Sequence, residues 1–181
     1  MKKLFLIAVA AMMMSAVQAQ DSTTENLYNA GLLHYEKANY AKAVENFNEA
    51  AVQGNLKAMR NLAICYENGQ GVEKNLPVAL VWYEKAAKGG DEVSLRCVGN
   101  IYAYFPKEYG VKKDYAKAFD CYSLAAELGD AEAIYQIGRC YEKKRGVEKD
   151  KDKAAYYYRL AKALGFSNQY MEDFMKKYEK K

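Results

Sequence analysis

The sequence predicts an all-α fold, an α-solenoid of antiparallel helix pairs closed by a C-terminal capping helix. Three observations predict it. First, the motif Ala-Ala, two residues, Gly recurs at Ala50-Ala51 to Gly54, Ala86-Ala87 to Gly90 and Ala125-Ala126 to Gly129, with a degenerate copy at Ala161 to Gly165, in steps of 36, 39 and 36 residues. That is the period of stacked helical hairpins. Second, each unit repeats one apolar stripe at helical spacing. Third, capping residues and glycines punctuate the chain at the same period. Such arrays bury their apolar faces only by stacking neighbours, which creates an extended concave surface suited to binding.

In chain order, residues 1–19 read as a secretory leader: Met1-Lys2-Lys3 is a basic start, Leu4 to Ala16 an apolar run, and Val17-Gln18-Ala19 a small-residue cleavage pattern. The apolar run is shorter than the roughly 18 to 20 residues of a membrane span. No cysteine follows the cut at Ala19/Gln20, so a lipid has no acceptor there. The expected location is therefore periplasmic or secreted. Residues 20–24 read as a short flexible N-terminus, and four repeats follow at 25–54, 55–90, 91–129 and 130–165.

In the first helix of the second unit, Met59, Leu62, Ala63 and Tyr66 fall at i, i+3, i+4 and i+7. Leu95, Val98, Gly99 and Tyr102 repeat the pattern, as do Ile134, Ile137, Gly138 and Tyr141. The second helices carry Ala43, Phe47, Ala50; Ala79, Tyr83, Ala86; Ala118, Tyr122, Ala125; and Ala154, Tyr158, Ala161. Large and small side chains thus alternate on facing surfaces, and a ring can fill the space opposite Gly or Ala. Asn39, Asn75, Asp114 and Asp150 stand where second helices begin, and Asn55, Asp91 and Asp130 where the next first helices begin, all as N-cap candidates. The third unit inserts three residues in its hairpin, giving the aromatic loop Tyr104 to Tyr109, whose rings are expected to fold back on the hairpin, with a contact loop as the alternative. After Gly165, the stripe Tyr170, Met171, Phe174, Met175 and Tyr178 predicts a terminal helix over 166–181 that covers the last repeat. A membrane-surface helix is the alternative for the same stripe.

Removing the leader leaves 162 of the 181 residues and, without Lys2 and Lys3, 25 basic against 23 acidic side chains, a formal charge of +2. Near balance argues against nucleic acid as a partner. The run Lys143-Lys144-Arg145 lies close to Glu148, Asp150 and Asp152, as on a solvated charged face. The four cysteines, Cys65, Cys97, Cys121 and Cys140, have no C-x-x-C spacing, and His34 is the one histidine, so zinc and thioredoxin-type chemistry have no support. Export permits disulfides. A turn near residue 109 would set Cys97 level with Cys121, a turn near 130 would set Cys121 level with Cys140, and all four can equally be small buried hydrophobes.

Leu62-Ala63, Tyr66, Gly69-Gln70-Gly71-Val72, Ala79, Trp82-Tyr83, Ala86-Ala87 and Gly90, with two later copies, resemble the Sel1-like repeat family of tetratricopeptide-like helical repeats, here in an exported bacterial member. The resemblance covers about residues 25 to 165 and implies a right-handed superhelix that acts as a scaffold or adaptor in signalling, secretion or envelope assembly. Some exported, cysteine-rich relatives are linked to penicillin binding or hydrolysis. This chain departs from them, lacking both their regular cysteine placement and a Ser-x-x-Lys, since Ser94 precedes Leu95-Arg96-Cys97.

By the same analogy the first helices line the concave side. Aligning Gly31, Ala63, Gly99 and Gly138 then selects Tyr28, Tyr35, Arg60, Arg96, Tyr104, Tyr135 and Arg139 as partner-binding residues. Tyr and Arg provide large contact areas and several hydrogen bonds. The expected partner is a protein or peptide segment, held without catalysis, cofactor or metal. His34 aligns with Tyr66, Tyr102 and Tyr141, a packing position. No acid/base pair stands in the helix stripes of the third and fourth units. An oligomeric envelope spacer and, for the cysteine-rich relatives, a peptidoglycan-related hydrolase are the competing functional readings.

Overall fold

The computed structural model describes residues 22–179; the leader read at 1–19 lies outside the described residues. All regular structure among them is helical, and the chain divides into two compact units that meet in sequence at Asn75 and Leu76. The first contains α1 (22–36), α2 (Tyr40–Val52) and α3 (Leu56–Asn68). The second contains α4 (Leu76–Lys88), α5 (Glu92–Tyr104), α6 (Tyr115–Glu127), α7 (Ala131–Lys143), α8 (Lys151–Ala163) and α9 (Gln169–Glu179). Helices α2 to α8 are each 13 residues long, about 20 Å at 1.5 Å per residue.

Sequence explains where these helices start and stop. Asn55, Asp91, Asp114, Asp130 and Asp150 each accept a backbone N–H three residues on, as N-caps. Asn39 makes no such bond: its backbone, at φ −86 and ψ 64, departs from the extended conformation of the five caps that form, and its N–H donates to the His34 carbonyl at 2.8 Å. The Ala-Ala-x-x-Gly motif is a helix stop. Gly129 takes φ +96, and the following Asp130 N–H returns to the Ala125 carbonyl at 3.0 Å. That closes the helix with a left-handed cap, and the same return bond ends α2, α4 and α8. Residues 22–24, expected to be flexible, are already helical, and Thr24 is buried with its hydroxyl donating to Gln53 Oε1 at 2.6 Å.

Within each unit the hairpins close by one device. A Cβ added at Gly31 would lie 2.6 Å from the Phe47 ring, at Gly99 2.5 Å from Tyr122, and at Gly138 2.6 Å from Tyr158. The glycine on a first helix is thus a socket for the ring of the second, and Phe47, Tyr122 and Tyr158 are among the largest fully buried side chains. Burying Phe47 alone is worth about 1.5–3 kcal/mol. In the second unit α5 pairs with α6 and α7 with α8, while α4 packs on α5 and α6 on α7. Leu95, Ala118, Tyr122 and Ile137 share one core, and Ile134, Tyr158, Met171 and Met175 share the next. Helix α9 therefore covers the last repeat, as expected of a cap. Met171 and Met175, the inner part of its apolar stripe, are buried in protein, which leaves them nothing to offer a membrane surface.

The connecting turns are equally constrained. Gly146 has φ +74, and a Cβ there would collide with the Tyr115 carbonyl; Gly71 makes the matching approach to Tyr40. In the inserted loop Pro106 and Tyr109 fold back and are buried, as expected, but Phe105 projects with half its surface exposed. All four cysteines are free thiols, so Cys97 and Cys121 are not joined. Cys97 stands off the Leu95–Gly99 line that meets Tyr122, whereas Cys121 lies buried. Burial pushes the thiols of Cys65 and Cys121 up to about 11 and that of Cys140 up to about 12, which suits small hydrophobes better than nucleophiles.

The socket predicts the effect of filling it. Gly138→Leu should destabilise the protein by about 1–3 kcal/mol and lower its melting temperature by several degrees. An unchanged melt would contradict the α7–α8 register.

Candidate protein-docking surface

The seven residues singled out from sequence divide sharply. Tyr28 is only 8 % exposed and packs on Phe47 with ring centroids 6.1 Å apart, so it belongs to the core of the first unit. Tyr135, 6 % exposed, belongs to the core of the second, against Tyr158 at 5.6 Å and Phe166 at 5.1 Å. Both stand three residues before the socket glycine, on its own helix face, where a ring shields the core from solvent. Tyr35 is half-buried; its hydroxyl donates to Gln70 Oε1 at 2.7 Å, and burial raises its phenol above the ordinary value. Arg60 is half-buried on α3.

Arg96 is structural. Its Nε donates to Asp130 Oδ2 at 2.7 Å and its terminal nitrogen meets Glu132 Oε2 at 2.9 Å. Asp130 meanwhile uses Oδ1 to cap α7 through Ala133 N–H at 2.8 Å. Both acidic groups stand at the start of α7, where the helix dipole favours them, and Arg96 straps that end to α5.

Arg139 and Tyr104 come together in the second unit, and three residues not selected from sequence join them. The Tyr104 hydroxyl donates to Gln136 Oε1 at 3.0 Å and accepts from a terminal Arg145 nitrogen at 3.0 Å. The Arg145 guanidinium lies 5.1 Å and the Arg139 guanidinium 5.8 Å from the centroid of the same ring. Arg139 also lies 5.2 Å from the Tyr170 ring and 6.0 Å from Tyr135. Gln136, Arg139 and Lys143 follow one another at i, i+3 and i+7, one stripe of α7. Tyr104 reaches this stripe from the end of α5, Arg145 from the α7–α8 turn and Tyr170 from α9.

Electrostatics set this cluster apart. Arg96 is neutralised twice, but Arg139 and Arg145 form no ion pair among the described residues, and the buried Arg139 Nε has no hydrogen-bond partner. Burial raises the Tyr104 phenol, against the pull of Arg139 and Arg145. At the edge of the cluster, burial works to raise the Glu142 carboxyl, and hydrogen bonds from Lys143, Tyr170 and Tyr158 outweigh it, holding the group below its ordinary value. Glu142 is thereby engaged, with Tyr158 at 2.7 Å and Tyr170 at 2.6 Å. The surface presents two guanidinium groups on aromatic rings, with donors to spare for an incoming carboxylate.

Arg145 escaped the sequence reading because it sits in a charged run. Lys144, at φ +55, turns the chain so that Arg145 faces back over Tyr104. Tyr170 escaped because its stripe marks a capping helix, yet its ring is 40 % exposed beside Arg139.

A family model described as Sel1 repeat matches residues 18–55, 56–91, 98–130 and 131–166. The chain belongs to the Sel1 repeat family. Among solved structures it is similar to a Sel1 repeat protein from Oxalobacter formigenes, with a TM-score of 0.74 and 30% identity over 85% of this chain and 62% of that one. It is also similar to c5321, described as a protective antigen of uropathogenic Escherichia coli with an SLR fold, with a TM-score of 0.72 and 31% identity over 81% of this chain and 32% of that one. Among curated proteins, the ERAD-associated E3 ubiquitin-protein ligase component HRD3B of Arabidopsis thaliana is 30% identical over 81% of this chain and 22% of its own length. This Sel1 repeat chain thus spans about a fifth of that relative, and 12% of a chitin synthase regulatory factor from Schizosaccharomyces pombe. The family's helix-pair architecture agrees with the α-solenoid class read from the repeats.

The Arg96 strap makes a stability prediction. Arg96→Ala should cost about 1.5–3 kcal/mol, the range for hydrogen bonds to charged groups, whereas Arg139→Ala should shift the urea midpoint little. Equal midpoints for the two variants would refute the division of roles.

Proposed function

We propose that this chain is a non-catalytic adaptor that docks an acidic segment of a partner protein on the α7 face of its second unit, gripped by Arg139 and Arg145 and flanked by Tyr104 and Tyr170. Sel1-repeat proteins act as protein-interaction scaffolds, which supports the class of function. The observation that carries the specific reading is the pair of guanidinium groups over Tyr104 without an ion pair among the described residues. Their contacts with the rings leave the two positive charges uncompensated within the described residues, and a carboxylate-bearing partner supplies the missing charge together with bidentate hydrogen bonds. Arg and Tyr are also the residue types that dominate binding energy at interfaces. The leader-like sequence at 1–19 supports export, and with it a role in the bacterial cell envelope, periplasmic or secreted. No helix among the described residues is long and apolar enough to cross a membrane, and no group of His, Cys, Asp and Glu among them is arranged to hold a metal ion.

Fluorescence anisotropy with a fluorescein-labelled oligoglutamate peptide tests the proposal. The double variant Arg139→Ala/Arg145→Ala should weaken binding at least about tenfold with a melting temperature close to that of the parent. Undiminished binding by the folded variant would refute it.

A further inference from the structure

A second feature of the same unit borders the docking face at Tyr170 but uses other cations than the arginine pair. A cleft of about 720 Å³ opens beside α9, with Lys143, Lys144, Lys149, Lys151 and Lys177 around it and Glu142 and Asp173 as its acidic residues. Five cations thus face two anions, and the two anions are already engaged. Glu142 is bonded to Tyr158, Tyr170 and Lys143, and Asp173 Oδ1 accepts from Gln169 at 2.8 Å. Lys143 is held by Glu142 and Lys144 by Glu148. Lys149, Lys151 and Lys177 are exposed and form no ion pair among the described residues.

The rest of the lining is mostly apolar, made of lysine stems and the rings of Tyr170, Phe174 and Tyr178. These rings are held in place. Phe174 stands edge-on to Tyr158 at 5.1 Å and lies parallel to Tyr178 at 6.0 Å, while the Tyr178 hydroxyl bonds Asp152. A cleft lined by aromatic rings and by three exposed ammonium groups with no ion pair among the described residues matches a ligand with a compact, multiply charged head on an apolar or flat body. Lysine serves such a head as a point charge with three donors and needs no planar bidentate fit, which suits a phosphate.

We propose that this cleft binds a phosphate ester, its phosphate between Lys149, Lys151 and Lys177 and its apolar body on the rings of α9. The ester can be a soluble molecule or a phospholipid headgroup, and the two are separable by experiment. The full chain without its leader is titrated with phenyl phosphate by calorimetry and sedimented with phosphatidylcholine vesicles with and without phosphatidate. Saturable binding of phenyl phosphate without vesicle sedimentation supports a soluble ester; sedimentation by phosphatidate vesicles that phenyl phosphate reverses supports a lipid headgroup. In either case Lys149→Gln/Lys151→Gln/Lys177→Gln, three changes at exposed positions, should weaken binding at least about tenfold, while Arg145→Ala, which removes a docking-face arginine outside the cleft lining, should leave it unchanged. Three results would overturn the proposal: no saturable binding of either probe, equal binding by the folded lysine variant, or loss in the arginine variant instead. Oligoglutamate binding by the lysine variant is read in parallel, so the cleft and the docking face succeed or fail separately.

Discussion

Three helix pairs in this structure depend on the absence of a side chain at one place each. Gly31, Gly99 and Gly138 leave gaps on first helices, and Phe47, Tyr122 and Tyr158 occupy them. Because interiors pack to crystal-like density, a ring seated that deeply fixes both the separation and the register of its hairpin. The tyrosines also carry the constraint outward. The Tyr122 hydroxyl donates to Asn100 at 2.9 Å, and the Tyr158 hydroxyl donates to Glu142, which in turn holds Tyr170 of α9. The position of Tyr170 beside Arg139 is thus set by a socket inside the hairpin.

The same chain of constraint explains why the candidate docking face is ordered. Tyr104 ends α5, Arg139 is central in α7 and Arg145 lies in the turn after it, so their meeting requires α5 and α7 to be held in one register. The Arg96 strap to Asp130 and Glu132 secures that register at the start of α7. Gly146, pressed against the Tyr115 carbonyl, secures the turn that carries Arg145. Arginines of neighbouring helices and turns thereby do opposite jobs: Arg96 is neutralised to hold the frame, and Arg139 and Arg145 are left charged on it.

Much of this was legible in the sequence, because short-range rules set it. Stripes, N-caps and Ala-Ala-x-x-Gly stops are local patterns, and five Asn or Asp caps and all four glycine stops form as read. The site was legible only in part. Aligning Tyr28, Arg60, Arg96 and Tyr135 treats them as equivalent, but a ring beside the socket turns in to cover the core while an arginine at that register extends to find a charge. Which charge it finds depends on residues far away in sequence, as Arg96 with Asp130 shows. Arg145 was hidden for the converse reason: its neighbours are charged, and only the left-handed backbone at Lys144 turns it from solvent toward Tyr104.

The central claim is that the Gly–ring interlock, rather than helix propensity, governs the hairpins. A double-mutant cycle on Gly99 and Tyr122, followed by urea denaturation, tests it most directly. Gly99→Ala alone should destabilise the protein, since the new methyl meets the ring, but in a Tyr122→Ala background the same change should stabilise it by up to about 1 kcal/mol, the helix preference for Ala over Gly. Stabilisation by Gly99→Ala in both backgrounds would contradict the account.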